Sequence, residues 1–205
     1  MRSSDLETAI DYIFTLGHSN ISFEQLLNQL RVYEIEAVAD VRSQPYSKYS
    51  PHFNRNALNA QLEDAGITYE FMGHQLGGRP DGQHFYDEQG HVRYDKWSED
   101  ERFLDGIAIL ESIAKRRRWA ILCSEGDARA CHRHLLLARV LASHGWPKTN
   151  IIHIEPDGTC ISEDSLPEQP DLFGGTVSWR SPLSVLQRVQ PSTSSNDLTE
   201  PEFGD

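Results

Sequence analysis

Trp119-Ala120-Ile121-Leu122-Cys123 is an unbroken apolar run of strand length, and its two flanks decide the fold. Upstream, residues 99–118 place Phe103, Leu104, Ile107, Leu110 and Ile113 at helical spacing. Downstream, Leu135, Leu136, Val140 and Leu141 mark a second helix that ends near Gly145. Asn150-Ile151-Ile152-His153-Ile154 then repeats the short apolar pattern. Such runs, bounded by amphipathic helices, suit parallel strands buried on both faces.

The same alternation fills the first half of the chain. Ile13-Phe14-Thr15-Leu16 reads as a first strand that ends in the turn-forming Gly17-His18-Ser19-Asn20. Ser22-Phe23-Glu24-Gln25 has capping-box spacing and opens a helix to about Tyr33. Ala37-Val38-Ala39-Asp40-Val41 is a second strand, followed by a polar loop over residues 42–54. A helix from Asn54 to Ala65 stops at Gly66, and residues 67–72 form a third strand. Residues 73–97 show no regular pattern, as functional or mobile loops do. Asp157-Gly158 predicts a hairpin into Thr159-Cys160-Ile161. The expected architecture is α/β: a mostly parallel sheet of about five strands, helices on both faces, a short C-terminal hairpin and a disordered tail. One domain is expected over residues 10–162, with an acidic and polar tail over 163–205.

The 205 residues suffice for one full core. A formal charge of -12 argues against a sequence-independent coat on nucleic acid. No apolar run is long enough to span a membrane, and the first residues lack a signal-peptide core. Three cysteines do not make a disulfide framework, so free thiols in a reducing cytoplasm are expected.

Chemistry in parallel sheets gathers beyond the carboxyl ends of strands. Three segments should meet there: Gly17-His18-Ser19, Asp40-Val41-Arg42-Ser43 and the loop from Cys123 to Arg133. A cysteine that ends a strand before a helix faces backbone amides, which favours its thiolate. Cys123 and Arg129 have the spacing of an anion cradle. Cys123 is the expected nucleophile or redox-active thiol, and Glu125 and His132 the acid/base pair. His18, Ser19, Asp40, Arg42, Ser43, Tyr49 and Arg133 are the expected substrate contacts, with Arg42 and Arg133 as an anion clamp. The substrate would be a small phosphate-bearing molecule or nucleic acid. No cofactor is expected. The alternative is a divalent metal on Cys123, Cys131 and His132, as in a metal-dependent hydrolase.

Gln169-Pro170-Asp171-Leu172-Phe173 sets an apolar pair in a polar stretch. It resembles the pentapeptide by which bacterial repair and replication proteins bind the sliding clamp, with Gln169, Leu172 and Phe173 as contacts. That supports a third expectation, a non-catalytic binding module of a repair or replication assembly.

Four motifs occur in order: Thr15-Leu16-Gly17-His18-Ser19, Asp40-Val41-Arg42-Ser43-Gln44-Pro45, Leu76-Gly77-Gly78, and Cys123-x-Glu125 with Cys131-His132-Arg133. Together they resemble the bacterial family called domain of unknown function 488, over roughly residues 12–155. The resemblance implies an α/β domain and no assigned activity. It also omits Arg129, which removes the anion-cradle spacing from the pattern.

Overall fold

The computed structural model describes residues 12–167 and 179–182. Its first half runs β1 (Ile13–Gly17), α1 (Phe23–Val32), β2 (Ala37–Asp40), α2 (Arg55–Asp64) and β3 (Thr68–Phe71). Two short helices follow, α3 (Gly73–Leu76) and α4 (Tyr94–Trp97), and then the longer α5 (Glu101–Ala114). After β4 (Trp119–Cys123), a π-helical segment, Arg133–Ala138, runs directly into α6 (Arg139–Ser143). The chain then forms β5 (Ile151–Ile154) and β6 (Cys160–Ser162).

The six strands lie in the order β3-β2-β4-β1-β5-β6. The first five are parallel, and β6 pairs antiparallel with β5 as the expected hairpin. Successive residues alternate between two cores, as the pleat requires. Ile13, Ala37, Ala39 and Ile121 pack with Phe103, Ile107 and Leu110 of α5 and with Leu141 of α6. Phe14, Leu16, Val38 and Leu122 pack on the other face with Leu26 and Leu30 of α1 and Leu58 and Leu62 of α2. The fold is therefore the expected α/β sheet. Ser22 closes the capping box of α1, its Oγ accepting from the Gln25 amide at 3.2 Å while Gln25 Oε1 accepts from the Ser22 amide at 2.9 Å.

Three stretches differ from expectation. Residues 73–97 hold α3, α4, a single turn at Gln83–Phe85 and a Tyr86–Val92 bridge. Their order comes from buried aromatics, chiefly Trp97 edge-on to Phe85 and Phe103, which leave no periodic signature. The helix after β4 begins as a π turn, a form frequent at functional sites.

The folded unit also runs past residue 162. Trp179 donates its indole N–H to the Leu135 carbonyl at 2.6 Å, and Ser181 donates its amide to the Val92 carbonyl at 2.9 Å. Gln169, Leu172 and Phe173 lie outside the described residues. Among the described residues, no helix is long and apolar enough to cross a membrane.

Candidate functional site

β4 lies between β2 and β1, and the register aligns their carboxyl ends: Gly17 opposes Cys123, and Asp40 opposes Leu122. Beyond the strands the ladder continues through His18 N–H to the Cys123 carbonyl (3.0 Å) and Ser19 N–H to the Ser124 carbonyl (2.9 Å). Gly17 makes this closeness possible. A Cβ there would stand 1.7 Å from the Glu125 carbonyl oxygen, so only glycine lets the Cys123 loop cross β1. Ser19 holds a left-handed backbone (φ 44°), a conformation that non-glycine residues adopt at some cost.

These loops surround a cavity of about 420 Å³. His18, Ser19, Arg42 and Ser43 line it together with Cys123, Glu125, Cys131 and His132. The volume suits a small-molecule ligand.

The second group forms a tight cluster. Cys123 Sγ donates to Glu125 Oε2 at 2.6 Å and lies 3.6 Å from His132 Nδ1. Cys131 Sγ lies 3.8 Å from the same nitrogen and 3.7 Å from Glu125 Oε2. His132 Nε2 is buried and has no hydrogen-bond partner among the described residues.

The two cysteines differ electrostatically. Burial, the Cys131 sulfur and the Glu125 carboxylate all push the Cys123 thiol up. Burial also opposes charge on Cys131, but the Cys123 thiol, the Arg133 guanidinium and His132 outweigh it and pull that thiol well down. Arg133 supplies the contacts, its Nε at 3.3 Å and its amide at 3.5 Å from Cys131 Sγ. The surroundings thus favour the anion on Cys131 over Cys123, where the sequence placed it. The reason is local. A bend and a single turn (Ala128–Ala130) follow Cys123, so no α-helix begins there to aim its amides at that sulfur. Burial opposes charge on His132, yet the Cys131 sulfur and then Glu125 raise its pKa.

Asp40 grips Arg42 through Nε (2.8 Å) and NH2 (2.5 Å), and Tyr69 donates its hydroxyl to Asp40 Oδ2 at 2.6 Å. Burial, followed by the Asp40 carboxylate, raises the Tyr69 phenol far above its ordinary value, so it stays a donor. Arg42 and Asp40 are 6% and 0% exposed. Asp40 therefore holds Arg42 from behind and does not line the cavity.

Two other expected contacts are placed elsewhere. Arg133 is fully buried, and its donors serve Thr15 Oγ1, the Glu125 and Gly126 carbonyls and Cys131. It braces the loop and cannot clamp a substrate. Tyr49 is exposed outside the cavity, whereas its neighbour Tyr46 lines it. Arg129 pairs with Asp127 at 2.8 Å on the surface, away from the cluster.

Arg79 also lines the cavity, as does Ser181, which sequence reasoning missed. That reasoning also missed a second buried cluster, in which Glu163 accepts from His134 Nδ1 and His153 Nε2, each at 2.8 Å. Thr15 Oγ1 contacts His153 Nδ1 at 2.8 Å and links that cluster to Arg133. The histidines alone gave no signal, because their partner Glu163 lay in the segment read as tail.

Fold and site define an α/β domain with a cysteine, histidine and carboxylate cluster at the carboxyl ends of parallel strands. The chain belongs to the family described as Domain of unknown function DUF488, whose model matches residues 22–140, more than half of the chain. No curated protein and no solved structure matches it.

Proposed function

We propose that this protein is a metal-dependent hydrolytic enzyme. Cys123, Cys131 and His132 would hold a zinc-class divalent ion, and Glu125 would serve as the acid/base. One observation carries the reading: both sulfurs stand 3.6–3.8 Å from His132 Nδ1. With Zn–S near 2.3 Å and Zn–N near 2.0 Å, tetrahedral ligands lie roughly 3.5 Å apart. All the donor atoms, Glu125 included, fall within 4.8 Å of one another. Sulfur and imidazole donors suit zinc.

Three protein ligands would leave room for one further group, as in catalytic rather than structural zinc sites. When bound, such an ion lowers the pKa of water to about 7. Glu125 stands beside both sulfurs and would take and return the proton. Arg133 steadies Cys131 from inside the protein. Arg42, held by Asp40 and His18, would fix the shape of the cavity beside the substrate. The three unpaired cysteines suit a cytoplasmic setting.

Metal analysis of the purified full-length protein tests this. A stoichiometric divalent ion, lost in Cys131→Ser and in His132→Gln, is expected. Protein that carries no such ion, and whose melting point does not respond to added zinc, would overturn the reading.

The contact between Arg133 Nε and Cys131 Sγ favours a second reading, in which Cys131 is a metal-free nucleophile. Iodoacetamide labelling of metal-free protein at mildly acidic pH would then select Cys131 over Cys123.

A further inference from the structure

We propose that Arg79 anchors the phosphate of a small phosphomonoester ligand in this cavity. The inference rests on the reading above only in taking the same cavity as the working site.

Arg79 lines the cavity, and its guanidinium makes no hydrogen bond or ion pair with any described residue. The other cations near the site are committed. Arg42 gives Nε and NH2 to Asp40 and NH1 to His18, and Arg133 is turned into the protein. Since Asp40 balances Arg42, Arg79 is left as the positive group offered to a ligand.

The loop that carries Arg79 is built to be there. Trp97 donates its indole N–H to the Gly77 carbonyl at 3.0 Å, and Ser43 Oγ accepts from the Arg79 amide at 2.9 Å. A Cβ on Gly77 would stand 2.3 Å from the Gly73 carbonyl oxygen, and one on Gly78 would stand 2.8 Å from the His132 ring. Two glycines therefore let the backbone press against Ser43 and His132 and deliver Arg79 to the cavity rim.

The hydroxyls point to an anion as well. Ser43 Oγ already accepts from Arg79, and Ser47 Oγ accepts from the Tyr49 amide at 3.1 Å. Both serines line the cavity, and each retains its own proton to donate. One guanidinium and two hydroxyl donors match the several oxygens of a phosphate better than the two of a carboxylate. The cavity volume and the chain's charge of -12 favour a small molecule over a polyanion.

The test is calorimetric titration of the full-length protein, with its metal content recorded, using inorganic phosphate, adenosine monophosphate, acetate and a single-stranded oligonucleotide. Phosphate and the mononucleotide should bind, acetate much more weakly. Arg79→Gln should weaken both at least tenfold, and Arg79→Lys should recover part of the loss. Unchanged melting and metal content in both variants would show that fold and metal centre are intact. Absence of phosphate binding, or equal binding by Arg79→Gln, would overturn the proposal, and so would a preference for the oligonucleotide. Phosphate binding by a protein that holds no metal and does not respond to added zinc would sink the hydrolase reading and leave this one standing; metal without phosphate binding would do the reverse.

Discussion

His18 Nε2 accepts a hydrogen bond from Arg42 NH1 at 3.1 Å, while Nδ1 of the same ring meets the Ser19 carbonyl at 2.9 Å. Arginine can only donate and a carbonyl can only accept, so the ring is neutral with its proton on Nδ1. Burial, with the Arg42 guanidinium second, pulls its pKa from 6.5 down to about 4. His18 is thus a fixed acceptor for Arg42, not a proton carrier at neutral pH.

The unfolded chain therefore binds a proton at His18 that the folded chain refuses between pH 6.5 and about 4. Its contribution is fully present above pH 6.5 and is lost as pH falls through 4. The expected loss across this window is about 3 kcal/mol. Urea unfolding at a series of pH values measures it, and His18→Gln should flatten the slope. A wild-type slope that survives in the variant would place its origin elsewhere.

Asp40→Asn leaves the Arg42 charge buried without its counterion. A loss of about 3–5 kcal/mol is expected, as for other broken buried pairs. Tyr69→Phe removes one donor to the same carboxylate and should cost about 1.5 kcal/mol. Equal losses in the two variants would mean that the carboxylate is not what holds Arg42.

Burial pushes the Glu163 carboxyl up, but hydrogen bonds from His134 and His153 overcome this and leave it below its ordinary value. The stability it brings is present above pH 4.5 and disappears as pH falls through the lowered pKa. Glu163→Gln should cost about 2 kcal/mol at neutral pH and flatten the acid limb of the stability curve. Thermal melts of both proteins from neutral to acid pH would show this, and identical acid limbs would refute it.

If the cysteine cluster holds zinc, chelation should lower the melting point and added zinc restore it, because a ligand at a hundred times its Kd adds about 2.7 kcal/mol. Arg133→Lys should weaken metal retention, since a lysine cannot serve Cys131 and two carbonyls from one planar fork. Scanning calorimetry with and without chelator gives the comparison. A chelator-insensitive melt of protein shown to contain metal would place the ion outside the fold's support.

Much of the fold was legible because its information is local. The apolar runs around Ala37–Val41 and Trp119–Cys123, the capping box at Ser22 and the turn at Asp157-Gly158 each follow from near neighbours in the chain. The strand-helix alternation then sends Gly17, Asp40 and Cys123 to one sheet edge, so most of the candidate site could be named in advance.

What only the tertiary structure decided is how those residues divide the work. Sequence alone determined that Cys123, Glu125, Cys131 and His132 share one loop near His18 and Arg42. Folding decided that the Arg133 guanidinium sits on Cys131, that Arg133 faces inward, and that Arg79 lines the cavity without a hydrogen-bond partner among the described residues. It also drew Glu163 and Trp179 back onto a domain expected to end before them. Protonation and pairing depend on which charges and donors lie within a few ångströms and how far water is excluded. Those distances are set by contacts between residues far apart in the chain, which no local pattern records.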